Sequence, residues 1–395
     1  MPEAALPEMS DVTSPITNRF GEVVPVRLEV EHRRVFTGIA GAAFNHQAQL
    51  ASDGRRVYAT WSSCAVDEEE AGQQMLVSSS ADGGVSWSEP SVVAPSRPGR
   101  NAPSVVVSSG LLAHEDMLVA FYGEWERYEG ARNKDREAAR VAAGGHHVFD
   151  VRTESRVSRD LGNTWSEPSE VVRRQFGFMP PTRTRSGRLI LPGHLTSAWT
   201  DDPTGLSGWT RSGPEGLPAD YLDDWYSRAK GAALLGLEHH FNESNFFQTD
   251  DGVLHMMMRN ETHSRMGVSE SHDDGRTWSK PRLTSFTNSV SRSHFGRLPD
   301  SRWFCVNCPT PPRPGLPPST RTPRTPVILA ISEDGVVFDR HFVVGDDSQG
   351  EPRIAGYLKH GRYGYPFLLP LGEEALMIYS TNKEDINVAR FRLPA

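Results

Sequence analysis

The sequence predicts an all-β fold, a six-bladed β-propeller. Two observations carry this: an eight-residue turn motif that recurs along the chain, and six polar-start hairpins spread over 395 residues. Composition agrees. Gly (35) and Pro (29) are scattered as punctuation rather than massed, which indicates many short elements joined by turns. Charged residues at 23% and hydrophobic residues at 37% suit a globular protein with a substantial core.

The turn motif reads S-x-D-x-G-x-[S/T]-W. Its full copies run Ser80–Trp87, Ser158–Trp165 and Ser271–Trp278, and each is followed by Ser, then Glu or Lys, then Pro. A shortened copy lies at Ser332–Phe338 and a looser one at Thr200–Trp209. The Asp side chain can accept bonds from nearby backbone N–H groups, and Gly supplies positive φ. The closing aromatic can pack back over the hairpin.

Between these turns runs a second pattern: a polar start, a short strand, a turn and an apolar strand. Asn45-His46-Gln47 leads through Ser52-Asp53-Gly54 to Val57–Trp61, and Asn242-Glu243 leads through Asp250-Asp251-Gly252 to Val253–Met258. The other hairpins start near Asn101, Arg183, Arg292 and Tyr365. Six units of about 66 residues, each holding about four short strands, read as propeller blades. Residues 1–20 are expected to form a flexible N-terminus and residues 21–395 a single propeller domain, with N- and C-terminal strands closing one blade together. The best helical stretch, Tyr221–Leu237, reads as part of an insertion near 200–238, although the sequence leaves a seventh, degenerate blade near 200–235 open. The Pro-rich run 309–326 reads as a long extended loop that rims the site.

Several function classes are disfavoured. The formal net charge is −8 with no basic tract, so no nucleic-acid partner is expected. No window approaches ~18 apolar residues, so no membrane span is expected. The first twenty residues carry neither a basic start nor an apolar stretch, which gives a cytoplasmic expectation. Three cysteines, Cys64, Cys305 and Cys308, are too few for a disulfide framework and point to a reducing compartment. No cofactor or metal is expected: Cys305 and Cys308 form a lone C-x-x-C, and neighbours in Glu238-His239-His240 point oppositely on a strand. The acidic run Asp67–Glu70 reads as a solvated loop. Oligomeric state is left open.

The turn motifs resemble the Asp boxes, or BNR repeats, of the sialidase (neuraminidase) superfamily, and the resemblance runs from about residue 35 to 393. In that superfamily the boxes lie at blade edges, away from the central site, so they are structural here. Propeller sites form where the inner strands converge, so the polar hairpin starts are the residues to weigh, Asn45, Asn242 and Arg183 among them. The stretch Phe241–Asn260 resembles the sialidase segment in which a glutamate polarises a tyrosine nucleophile and an arginine holds the substrate carboxylate. By resemblance these are Glu243 and Arg259. A guanidinium suits the second role because its planar fork meets a carboxylate bidentately. The stretch Tyr363–Gly372 resembles the last-blade segment that carries the tyrosine, with Tyr365 the closest match and Tyr363 its rival. Arg292 is the candidate second substrate-facing arginine, and His294 reads as a structural histidine.

The first blade departs from the superfamily pattern. Sialidases have Phe/Tyr-Arg-Ile-Pro there; this chain has Phe44-Asn45-His46-Gln47, with Arg33 and Arg34 upstream and out of register. No match for the aspartate acid/base is found. A histidine at the mouth of a propeller can act as a general base near neutral pH. Asp-box propellers that are lyases or rhamnosidase-type enzymes on rhamnose–glucuronate linkages resemble the His46 segment more closely. The expected function is therefore a carbohydrate-active enzyme acting on an oligosaccharide or glycan at a terminal acidic sugar. One chemistry is sialidase-type hydrolysis through Tyr365 and Glu243. The other is a hydrolase or lyase centred on His46, with Tyr365 or Tyr363 as acid and Arg259 neutralising the carboxylate. A non-catalytic glycan- or protein-binding propeller is the remaining alternative.

Overall fold

The computed structural model describes residues 16–65, 67–100, 103–127, 148–224, 227–310, 324–347, 350–356, 359 and 363–395. Most of the expected Pro-rich loop, residues 311–323, lies outside the described residues, as do residues 1–15 of the expected flexible N-terminus.

Among the described residues the strands form six blades around one axis. Blade 1 is β4 (Phe44–Ser52), β5 (Val57–Cys64), β6 (Gln74–Ser80) and β7 (Ser91–Ala94). Blade 2 is β8 (Ser104–His114), β9 (Met117–Arg127), β10 (Val148–Ser158) and β11 (Ser169–Arg173). Blade 3 is β12 (Thr182–Arg183), β13 (Leu189–Pro192), β14 (Ser197–Thr200) and β15 (Thr210–Ser212). Blade 4 is β16 (Phe241–Gln248), β17 (Leu254–Asn260), β18 (Arg265–Ser271) and β19 (Arg282–Thr287). Blade 5 is β20 (His294–Arg297), β21 (Trp303–Asn307), β22 (Val327–Ser332) and β24 (Arg340–Gly345), edged by β2 (Val26–Arg27). Blade 6 is β25 (Tyr363–Leu371), β26 (Glu374–Thr381), β27 (Asp385–Arg392) and the early strand β3 (Glu31–Phe36). N- and C-terminal strands thus complete one blade together.

Three boundaries differ from the expectation. Ile16 is fully buried and β1 (Thr17–Asn18) pairs in parallel with β23 (Val337–Phe338), so residues 16–20 belong to the body of the propeller. The region near 200–238 builds no further blade. Thr210–Ser212 is the outer strand of blade 3, and only the segment after it, with the short helix α1 (Arg228–Leu234), stands outside the sheets.

The core lies between blades rather than inside them. Each blade presses both faces on its neighbours, so the second strands, and inner strands such as Phe44–Ser52 and Phe241–Gln248, are buried along nearly their whole length. The Asp-box turns fasten these faces. Asp82 Oδ1 accepts the N–H groups of Val85 and Ser86, Ser80 Oγ accepts the Gly84 N–H at 2.8 Å, and Trp87 Nε1 donates to the Gly84 carbonyl. Asp160 and Asp273 repeat the pattern. Gly84 is required on two counts: φ is +90°, and a Cβ there would stand 2.7 Å from Leu376 of blade 6. The box glycines Gly205, Gly275 and Gly335 likewise abut Phe121, Ile190 and Thr249, each on the preceding blade.

Every inner strand leads from one face of the ring to the other. The boxes sit at the connections between third and fourth strands. The connections between second and third strands lie on the opposite face, beside the starts of the inner strands. No described helix is long and apolar enough to cross a membrane.

Candidate active site

Three inner strands are interrupted at the same place. The pairing of β4 with β5 shifts between His46 and Gln49, that of β16 with β17 between Asn242 and Asn245, and that of β25 with β26 between Gly364 and Phe367. The first residue of each bulge stands in the left-handed region: Gln47 (φ 55°), Glu243 (φ 46°) and Tyr365 (φ 51°). Non-glycine residues pay conformational energy there, and such strain clusters at functional sites. A bulge also re-aims its side chain. Two of these three side chains are the predicted glutamate and tyrosine.

Tyr365 Oη donates to Glu243 Oε1 at 2.8 Å. Arg259 Nη1 donates to Glu243 Oε2 at 2.6 Å and to Tyr365 Oη at 2.7 Å. All three groups are buried. Arg259 also pairs through Nη2 with Glu261 at 2.7 Å, and Asn242 Nδ2 donates to the same Glu261 carboxylate. Arg292 lies 4.6 Å over the Tyr365 ring and donates to the Phe178 carbonyl, and its buried Nη2 has no acceptor among the described residues. Arg324 approaches the same ring at 5.2 Å and donates to the Val290 carbonyl, and its Nη1 likewise has no acceptor among the described residues.

The electrostatics follow from this crowding. Burial pushes the Glu243 carboxyl up, but Arg259, Arg292 and the bonds from Arg259 and Tyr365 outweigh it and hold the pKa at about 2. Burial raises the Tyr365 hydroxyl, with Arg259 opposing the rise and Glu243 adding to it. The phenol is therefore protonated at rest, between a fixed cation and a carboxylate placed to receive its proton. Burial lowers Arg292, and Glu243 opposes that. Such an arrangement can activate an oxygen nucleophile and bind an anion beside it.

His46 is placed differently. Its ring is fully buried, lies 4.2 Å from the Tyr365 ring, and shares a 2.7 Å bond from Nδ1 to Ser380 Oγ. Burial, then Lys383, Arg324, Arg292 and Arg259, hold it well below the ordinary histidine range. It is a neutral group wedged behind Tyr365, and a poor base. Asn45 is a brace: its Nδ2 donates to the Ala42 and Glu384 carbonyls and its Oδ1 accepts from Trp61. Two predicted residues fall elsewhere. Tyr363 packs edge-on against Tyr379 within the cluster between blades 5 and 6. Arg183 is exposed on β12 and donates to the carbonyls of Gly187 and Pro203. His294 stacks on Phe367 at 3.8 Å, a structural histidine as expected.

Sequence reasoning missed five residues on this face, and all sit in or at connections between second and third strands. Glu68 follows β5; it is buried and accepts from Gln47 Nε2 at 3.0 Å and from Lys383. The acidic run it belongs to is therefore not simply a solvated loop, since Asp67 is buried with it. His194 follows β13 and accepts the Glu243 N–H through Nδ1 at 3.3 Å. Glu261 follows β17, Arg324 lies between β21 and β22, and Lys383 lies between β26 and β27. For Glu261 a signal existed: it stands two residues after Arg259, on the same side of a strand-like run. At the other end of the inner strands a cavity of about 430 Å³ is lined by Leu50, Phe246, Phe367 and their neighbours. The titratable cluster lies at the end away from it. Among the described residues no group of three or more His, Cys, Asp or Glu could hold a metal ion.

Comparison with known proteins agrees with this architecture. Among solved structures the chain is similar to a sialidase (TM-score 0.61, 17% identity, covering 95% of this chain and 34% of that one). It is similar to the NanB sialidase of Streptococcus pneumoniae (TM-score 0.60, 12% identity, 91% of this chain and 70% of that one). It is also similar to the intramolecular trans-sialidase of Ruminococcus gnavus in complex with oseltamivir carboxylate (TM-score 0.60, 12% identity, 91% and 97%). The chain thus spans about a third of the length of the first of these. No curated protein matches. A sequence model of BNR repeat-like domains matches residues 55–377, and with most of its length inside that match the chain belongs to the BNR repeat-like family of six-bladed propellers.

Proposed function

We propose that the protein is a sialidase-like glycosidase that releases a terminal acidic sugar from a glycan by way of a covalent intermediate on Tyr365. The observation that carries this reading is the triangle Tyr365–Glu243–Arg259, closed by bonds of 2.6 to 2.8 Å. Tyr365 Oη attacks the anomeric carbon as its proton passes to Glu243, and the glycosidic C–O bond breaks. Glu243, held ionised, has no proton to give the departing oxygen. Glu68, a second buried carboxyl near Tyr365 and Arg292, accepts a hydrogen bond from the Lys383 ammonium and relays a proton from it to that oxygen. Water then displaces the tyrosine oxygen, Glu243 returns the phenol proton, and the anomeric configuration is retained.

The substrate's carboxylate lies against Arg259, Arg292 and Arg324, and Arg292 and Arg324 carry N–H donors that lack acceptors among the described residues. The similarity to an enzyme that holds oseltamivir carboxylate supports an acidic ligand. The histidine-centred lyase finds less support, because His46 is sealed behind Tyr365. The test is product mass. Incubation with sialylated and glucuronate-capped oligosaccharides is expected to give products that sum to substrate plus water. Products that sum to substrate alone, one with an unsaturated uronate, overturn the hydrolytic reading, and binding without turnover overturns the enzyme.

A further inference from the structure

We propose that Lys383 and Glu68 hold one proton between them and that this pair, rather than a lone carboxyl, supplies the proton that the leaving group takes; the inference rests on the glycosidase reading above. Lys383 lies in the turn between β26 and β27, and both it and Asn382 stand in the left-handed region (φ 54° and 53°). Glycine or asparagine fits such positions most easily, so a lysine there is retained at a cost. The turn is pinned to blade 1: the Asn45 N–H donates to the Lys383 carbonyl at 2.8 Å, and Asn45 Nδ2 donates to the Glu384 carbonyl at 2.7 Å. That anchorage aims a buried ammonium at Glu68 Oε2, while Gln47 holds Glu68 Oε1 at 3.0 Å.

Residue type matters here. The chain has only five lysines, and the other cations around Tyr365 are the arginines Arg259, Arg292 and Arg324. A guanidinium does not release its proton; a buried ammonium can. The groups facing Lys383 are Glu68 from blade 1, Arg324 from blade 5, Arg259 from blade 4, and the Phe44 ring at 5.9 Å. His46 behind them is neutral. Burial lowers the lysine, Glu68 opposes this, and Arg324 and Arg259 reinforce it. The proton path balances. As the glycosidic bond breaks, the shared proton passes from Lys383 through Glu68 to the leaving oxygen, which leaves a neutral amine beside a carboxylate. In the second step the attacking water gives its proton to Glu68, from which it returns to Lys383, and the pair is restored.

The experiment compares Lys383→Arg and Lys383→Met with the unmodified protein on acidic-sugar glycosides bearing an alkyl or a nitrophenyl leaving group. General acid help is worth about 10²–10⁴-fold and is scarcely needed by a good leaving group. Both variants are expected to lose on the order of 10²-fold in kcat/KM on the alkyl glycoside and under about 5-fold on the aryl one. Full activity of Lys383→Arg on the alkyl glycoside, or equal losses on both substrates, overturns the proposal and leaves Lys383 a structural charge. A second arm needs no turnover. In ¹³C-lysine NMR, Lys383 is expected to titrate below an ordinary lysine and lower still in Glu68→Gln. An ordinary titration that ignores Glu68→Gln overturns the shared proton. Failure of the unmodified protein on every glycoside removes the glycosidase reading instead, and the lysine titration tells the two failures apart.

Discussion

Tyr365 and Glu243 stand at matching bulges of blades 6 and 4, both in the left-handed backbone region, and their side chains meet at 2.8 Å. The meeting fixes a direction for proton transfer. A phenol that burial keeps protonated touches a carboxylate that arginines keep ionised, so in the proposed reaction the proton moves from Tyr365 to Glu243.

Tyr365→Phe removes the attacking oxygen and leaves the ring between His46 and Arg292. Hydrolysis is expected to fall on the order of 10³-fold or more. The Glu243–Arg259 pair survives, so the melting temperature should change little. Steady-state kinetics on an aryl glycoside beside a thermal melt checks both.

Arg259→Ala leaves two carboxylates, the buried Glu243 and the partly buried Glu261, without their shared cation. Breaking a buried pair costs about 3–5 kcal/mol. Denaturant unfolding is expected to show that loss. Arg259→Lys should recover part of the stability and little of the activity, since one ammonium cannot fork between Glu243 and Tyr365.

Acid should weaken the fold through Glu243. Its carboxyl is held at about 2 in the folded protein, against 4.5 ordinarily. A depressed folded value means stability that is fully present above about 4.5 and is lost as pH falls toward 2. The share at stake is on the order of 3 kcal/mol. Unfolding midpoints between pH 6 and 3 should drop less steeply in Glu243→Gln than in the unmodified protein.

His46 separates the two chemistries. His46→Ala opens space beside the Tyr365 ring and is expected to cost about 2–3 kcal/mol and some activity. The shape of the pH–rate profile should not change. Loss of a limb near the histidine range in this variant would restore His46 as the base.

Gly84→Ala tests the box turns. A Cβ at φ +90°, 2.7 Å from Leu376, should destabilise the protein by roughly 1–3 kcal/mol. KM and kcat, measured where the protein is folded, should stay as they were.

The architecture was legible because the box turns are local: eight residues carry their own hydrogen bonds, and their spacing counts blades. Glu243, Arg259 and Tyr365 were legible by resemblance and Arg292 by its place at a hairpin start, and the bulges that aim Glu243 and Tyr365 were not. A bulge inserts no special residue type here, since Gln47, Glu243 and Tyr365 are not glycines. Glu68, His194 and Arg324 were hidden for a different reason. Each lies in a connection with no periodicity of its own, and its role depends on which strand from another blade stands opposite. Tyr363 and Arg183 shared the polar start of a hairpin with the candidate site residues, but the bulge after Gly364 breaks the alternation that would set Tyr363 on the side of Tyr365, and Arg183 stands exposed on a two-residue strand.

Blade 6 is sealed by one of the earliest strands, Glu31–Phe36, lying along the last, Asp385–Arg392. A growing chain possesses Glu243 and Arg259 long before Tyr365 is made, and Lys383 arrives only with the final hairpin. The Tyr365 hydroxyl cannot meet the Glu243 carboxylate until the ring shuts. The proposed site is therefore completed in one step, at closure, and on the proposed reading turnover would report whether the circle is whole. Prying Glu31–Phe36 from its partner should silence the site before any other blade has opened.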